Sequence, residues 1–148
     1  MRIVLQRSKN SKVTINNKVN GSIEKGLVLL VGFCEGDNSN IIDKMIDKII
    51  NLRIFEDEKE LMNYSLLDQK GSILSISQFT LYADCKKGRR PSFTDALEYN
   101  KASLLYDLFN KKLIEKNIHV ETGIFGEDMQ VSIENDGPVT ILLDSNEI

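Results

Sequence analysis

The sequence predicts an α+β fold: a mixed, mostly antiparallel sheet closing into a barrel-like core, with two main helices packed on it. Three observations carry this reading. Short β-branched and apolar runs bounded by Gly, Asn or Asp recur along the whole chain. Two longer stretches place apolar residues at helical spacing. No repeat and no Pro- or Gly-rich linker divides the 148 residues, so one domain spans 1–148.

The elements follow in chain order. Ile3, Val4 and Leu5 open a β-like run, and Val13-Thr14-Ile15 before Asn16-Asn17 reads as a second strand turning back, so the chain starts as a hairpin. Gly26 to Phe33 is a continuous apolar run bounded by glycines, the pattern of a central strand buried on both faces. Ile41, Ile42, Met45, Ile46, Ile49 and Ile50 form a helical stripe with Asp and Lys opposite. Arg53-Ile54-Phe55 reads as extended, and Glu56 to Glu60 as a solvated turn, since its acids lack metal-ligand spacing. Ser72 to Ser77 reads as a strand alternating serine with aliphatics, hydroxyls on one face. Ala102, Leu105, Leu108, Phe109 and Leu113 predict a second helix over Glu98 to Lys116. Met129 to Ile133 and Val139 to Leu143 predict two closing strands, separated by a turn at Asn135-Asp136-Gly137-Pro138.

Composition removes several classes of function. Hydrophobic residues make up 41% and charged residues 28%, ordinary values for a soluble globular chain. The formal net charge is -3, which disfavours a broad grip on duplex nucleic acid. One histidine, His119, and two cysteines, Cys34 and Cys85, leave too few ligands for a Cys/His zinc site. The cysteines lack a CxxC partner and read as free thiols. The first residues show no apolar signal-peptide core, and no apolar run reaches the roughly 18 residues of a membrane span, so a cytoplasmic location is expected.

Three segments could carry chemistry. Ser77-Gln78-Phe79-Thr80-Leu81 offers hydroxyls, an amide and an aromatic ring in succession at a strand end. By themselves these groups equally fit a strand end satisfying its own backbone. Thr80 has no base nearby in sequence, and His119 stands in a charged stretch with nothing local to orient it. Lys86, Lys87, Arg89 and Arg90 concentrate positive charge in a loop broken by Gly88 and Pro91, which fits either a phosphate-attracting patch or a solvated loop. Asn135 to Thr140 joins Gly137 to Pro138, where an X-Pro bond can be cis at a cost of about 0.5 to 1 kcal/mol; an ordinary turn has the same sequence.

Together these segments resemble the D-aminoacyl-tRNA deacylase family, also called D-tyrosyl-tRNA deacylases, from Met1 through Leu143. The resemblance is carried by Gln6-Arg7, Ser77 to Leu81, Arg90-Pro91-Ser92-Phe93, Thr122-Gly123 with Phe125, Asp128 to Val131 and Asn135 to Thr140. Segment 8–20 and the tail 144–148 are polar and add nothing to it. The resemblance implies a homodimeric hydrolase that cleaves the ester joining a D-amino acid to the 3′-terminal adenosine of tRNA; no constellation of ligands in the sequence suggests a cofactor or metal. It implies that Ser77, Gln78, Phe79 and Thr80 line the pocket for the adenosine and ester, with Met129 nearby, and that Phe79 and Thr80 offer backbone N–H groups to the ester oxygen. The Gly137-Pro138 bond is expected to be cis, to be steadied by Arg7, and to reach into the partner's site.

Rigid carbonyls at Gly137 and Pro138 would exclude an L side chain by clash, while D side chains of any identity, and glycine mischarged on tRNA, pass. With no His or Cys beside Thr80, substrate-assisted hydrolysis is expected, the ribose 2′-hydroxyl supplying what the side chains lack, and Thr80 as the nucleophile is the alternative. The alternative from another class is a non-catalytic nucleic-acid-binding module using the basic loop 86–90.

Overall fold

The structure is a computed structural model describing residues 1–148. Strand β1 covers Arg2–Ile15 and β2 covers Lys18–Gly32. They form one long hairpin, and Asn16 and Asn17 turn it with φ of 48° and 61°, the left-handed pair that a two-residue turn between twisted strands requires. The two short strands expected before this turn are therefore one strand, because Ser8 and Ser11 between them are buried and keep the ladder going.

Helix α1 (Ser39–Asn51) starts at the expected stripe, capped by Asn38, whose side chain accepts from the Asn40 and Ile41 N–H groups. Strands β3 (Phe55–Glu56) and β4 (Met62–Tyr64) form a small hairpin. The Glu56–Glu60 stretch is thus not wholly a solvated turn. Glu56 belongs to a strand and reaches Arg7, and the Asp57 carboxylate accepts from the Lys59 and Leu61 N–H groups to shape the turn. Strand β5 (Ser72–Ser77) leads into a single 3-10 turn, Phe79–Tyr82. Helix α2 (Tyr99–Glu115) is bracketed by Glu98 and Lys116, matching the expected span, and β6 (Val120–Thr122) and β7 (Gln130–Asp144) complete the chain.

The main sheet has the order β6-β5-β2-β1-β7. β1 pairs antiparallel with both neighbours, whereas β2-β5 and β5-β6 are parallel, so the fold is α+β with a mixed sheet. The sheet does not close into the expected barrel: β6 and β7 are its two edges, with no ladder between them. Both helices lie over one face. Ile42, Met45, Ile46 and Ile49 of α1 and Phe109 and Leu113 of α2 pack with Ile3, Leu5, Leu27 and Leu29 in a core of 21 buried residues. Lys112–Asp43 and Lys116–Asp47 ion pairs, at 2.6 and 3.2 Å, tie the helices on their outer sides.

A smaller cluster on the other face holds Val13, Val28, Leu74 and Ile76. β5 feeds both faces, Ile73 one and Leu74 and Ile76 the other, so its serines do not share a face as expected. The run reads Ser-Ile-Leu-Ser-Ile-Ser, and its two adjacent aliphatics break strict alternation. Two parallel neighbours bury the strand on both sides, and Ser75 is fully buried.

The two strands expected at the C-terminus are one, β7, and Asn135–Pro138 is not a reversal between them. Both halves pair with β1, but Gln6 faces Thr140 while Ser8 faces Asn135. The extra residues of β7 are extruded opposite Arg7 as a bulge carrying Gly137-Pro138.

Candidate active site

A cavity of about 390 Å³ opens where the parallel strands β2 and β5 end, the usual place for a ligand in a sheet with parallel neighbours. Val31, Gly32 and Phe33 form one wall, Ser77, Gln78 and Phe79 a second, and Phe93, Leu97, Tyr99 and Phe125 an aromatic and aliphatic rim. The rings interlock edge to face: Phe79 against Phe93 and Tyr99 against Phe125, each at 5.1 Å between centroids. Phe79 is 57% exposed and so presents a free ring face to whatever enters.

Local contacts explain why the turn sits where it does. The Gln78 N–H donates to the Val31 carbonyl at 2.7 Å, and a Cβ on Gly32 would stand 2.8 Å from the Gln78 carbonyl oxygen, so only glycine permits this approach. Arg2 holds the far end of the turn. Its Nε donates to Asp144 at 2.8 Å, its Nη1 to the Leu81 carbonyl at 3.2 Å, and its guanidinium lies 4.7 Å from the Tyr82 ring centroid. Burial, and then the contact with Cys34, push the Tyr82 hydroxyl far above its ordinary range, so it stays protonated and supplies no base.

Of the residues expected at the site, Ser77, Gln78 and Phe79 line the cavity. Thr80 stands just outside it, its hydroxyl accepting a short hydrogen bond from the Gln78 amide. His119 is not near: its carbonyl accepts from Ile73 N–H at the opposite end of β5, about 13 Å from Ser77 by strand rise. Its ring pairs instead with Glu121 at 3.1 Å. Met129 does not line the cavity but packs over Gly123 and the smaller core cluster. Lys86, Lys87, Arg89 and Arg90 are exposed in a loop that leaves the cavity rim through Phe93.

Gly137 and Pro138 are not brought to this cavity. The peptide bond between them is cis and both residues are exposed. They face Arg7, which pairs with Leu27, whereas the cavity adjoins Gly32, which pairs with Arg2. The separation is five residues along β1, about 16 Å. Arg7 is buried and ties the bulge to the start of β3 through three hydrogen bonds. Its Nε donates to the Asp136 carbonyl at 3.1 Å, Nη1 to the Ile54 carbonyl at 2.8 Å and Nη2 to Glu56 at 3.2 Å. Asn135 braces the other side, accepting from Val139 N–H at 3.3 Å and donating to Thr140 at 2.8 Å.

Tyr99 had no place among the expected site residues, and Glu56 was expected only as part of a solvated turn. Tyr99 lies at the first turn of a helix where the apolar stripe dominates, and Glu56 sits among other acids, so neither carried a local signal.

A sequence model of the family described as D-Tyr-tRNA(Tyr) deacylase matches residues 4–144. A Clostridium tetani protein named D-aminoacyl-tRNA deacylase is 55% identical over all of this chain and 99% of its own length. One of that name from Listeria monocytogenes serotype 4a is also 55% identical, covering 100% of this chain and 98% of its own. Among solved structures, the c-Myc DNA Unwinding Element Binding Protein superposes with a TM-score of 0.91 at 37% identity, covering 97% of this chain and 98% of its own. A probable eukaryotic D-amino acid tRNA deacylase shares the fold, with a TM-score of 0.82 at 18% identity over 96% of this chain and 97% of its own. With the match running from β1 to the end of β7, the chain belongs to the D-Tyr-tRNA(Tyr) deacylase family.

Proposed function

We propose that this chain hydrolyses the ester between a D-amino acid and the 3′-terminal adenosine of tRNA, at a site completed by a second copy of itself. Hydrolytic removal of D-amino acids from tRNA is the activity for which the matching family is named, and the relatives match over their full length. The observation that carries the finer reading is the separation of two preorganised parts within one chain: an apolar cavity beside Gln78-Phe79-Thr80, and a braced, exposed Gly137-Pro138 bulge about 16 Å away along β1. A two-fold pair of subunits would bring the bulge of each to the cavity of the other. Support comes from β7, an edge strand of 15 residues with Leu142 64% exposed, an edge that a monomer would leave unprotected.

The chemistry asks little of the side chains. The cavity's aromatic rim receives the terminal adenosine. The first N–H groups of the 3-10 turn, at Phe79 and Thr80, have no acceptor within that turn and serve the developing oxyanion. The Gln78 amide orients Thr80 and leaves its hydroxyl without a base, so the substrate's 2′-hydroxyl assists water in attacking the ester carbonyl. The bulge carbonyls exclude L side chains and let D side chains and glycine pass. The reaction takes place in the cytoplasm, where aminoacyl-tRNA is used.

The test is deacylation of matched D- and L-tyrosyl-tRNA by the purified protein beside an enzyme-free control. D-ester loss with the L-ester at the control rate is expected; equal rates, or none above control, overturn the proposal. The relative named as binding a DNA unwinding element gives the competing reading, a non-catalytic module using loop 86–90, a specific basis. Salt-dependent binding of unrelated DNA and RNA without ester hydrolysis would favour it.

A further inference from the structure

The chain has five arginines, and three are committed to the fold: Arg2 to Asp144, Arg7 to Glu56 and Asp136, and Arg53 to Asn63. Arg89 and Arg90 are the other two. Neither they nor Lys86 and Lys87 make an ion pair, and all four are exposed. The chain nets -3 although this loop holds four positive charges, so the rest of the protein carries -7. A small island of positive charge on an acidic body concentrates the field at one place.

The loop is also held in position. Asp84 and Ser92 bridge its ends through paired backbone bonds of 2.7 and 2.9 Å, and the Asp84 carboxylate accepts from Lys86 N–H at 2.8 Å. Phe93, one residue past the bridge, is a wall of the cavity and packs on Phe79. The cations therefore hang from the cavity's own rim.

We propose that Lys86, Lys87, Arg89 and Arg90 form a phosphate subsite for the unpaired nucleotides that precede the terminal adenosine. This rests on the reading that the cavity receives that adenosine. The loop from Cys85 to Pro91 contains no aromatic residue on which a base could stack, so it touches backbone and reads no sequence. Its shortness fits a single strand: it is one compact group of four charges on a body that is otherwise net acidic, and Lys112 and Lys116 of the helices are paired with Asp43 and Asp47. Cavity and loop then divide the work, the first recognising one nucleoside and the second accepting the common 3′ end of any tRNA.

The experiment compares D-tyrosyl-tRNA with the D-tyrosyl ester of adenosine, which has no phosphate, on the unaltered protein and on K86A/K87A/R89A/R90A. The alanine variant is expected to raise KM for the tRNA by about tenfold or more with kcat little changed, and to flatten the slope of log(kcat/KM) against log salt by about 0.7 per charge removed. KM for the adenosine ester should not move. K86R/K87R/R89K/R90K, which keeps the charges, should retain the parent's KM and slope. Equal losses on both esters, an unchanged tRNA KM, or a loss in the charge-keeping variant as large as in the alanine one would each overturn the subsite. Failure of the unaltered protein on both esters would instead overturn the hydrolase reading beneath it.

Discussion

Thr80 and Gly137 show how much single residues depend on what surrounds them. The Thr80 hydroxyl has one partner, the Gln78 amide, and no base within reach, since His119 stands at the other end of β5. Thr80→Ala should therefore lower kcat on D-tyrosyl-tRNA only modestly, by about tenfold or less, whereas a nucleophilic role would require near-complete loss with binding intact; single-turnover kinetics separates the two. Gly137 has φ +121°, and a Cβ there would lie 2.8 Å from Arg7 Nη2 and 2.9 Å from a Val139 methyl. Gly137→Ala is expected to cost about 1–3 kcal/mol of local strain, to displace the bulge, and to narrow the ratio of D- to L-ester hydrolysis. A ratio that survives the substitution would count against the bulge as the selector. The types of these residues were legible in the sequence, and so was the poverty of bases around Thr80. The partners of Arg7 were not, because Ile54 and Glu56 come from one distant segment and Asp136 from another.

Helix α2 shows what capping does for the site. Its N-cap, Glu98, accepts from Asn100 and Lys101 N–H groups at 3.0 and 3.2 Å, and these backbone bonds hold its carboxyl below the ordinary glutamate range. A group whose folded-state pKa is depressed contributes stability above its unfolded value and loses it as pH falls through the folded one. The next residue, Tyr99, is a cavity wall, so acidification below about pH 4.5 should fray the start of α2 and loosen the rim. Glu98→Gln should lower the thermal midpoint at pH 7 and flatten its dependence as pH falls below the ordinary glutamate range. An unchanged profile would show that the cap is not the titrating group. Both helix spans were readable because their stripes repeat at a period no strand shares. The long strands were broken in two by the reading because buried serines in β1 and the Gly-Pro bulge in β7 interrupt the local apolar signal without interrupting the ladder.

For the whole molecule, a site shared between subunits makes a prediction that no single-chain site would. A variant disabled in the cavity, Gln78→Ala with Phe79→Ala, and one disabled in the bulge, Gly137→Ala with Pro138→Ala, should each be inactive or unselective alone. Mixed and allowed to exchange subunits, they should recover about a quarter of the parent's activity, because half the dimers are mixed and each of these holds one intact site. No recovery under conditions where exchange is verified by light scattering and a mass-tagged subunit would place cavity and bulge in the same chain. The sequence by itself determined the α+β class, the two helices, the family and the identities of the residues at Ser77–Thr80, Lys86–Arg90 and Gly137-Pro138, because period, turn chemistry and motif are local properties of the chain. Only the tertiary structure decided that the sheet stays open, that Arg7 clamps the bulge through Ile54 and Glu56, and that the cavity is walled by Phe93, Tyr99 and Phe125. It also set the bulge about 16 Å from that cavity along β1. These outcomes depend on which distant segments meet, and packing of side chains across strands and helices settles that, not the propensities of the segments themselves.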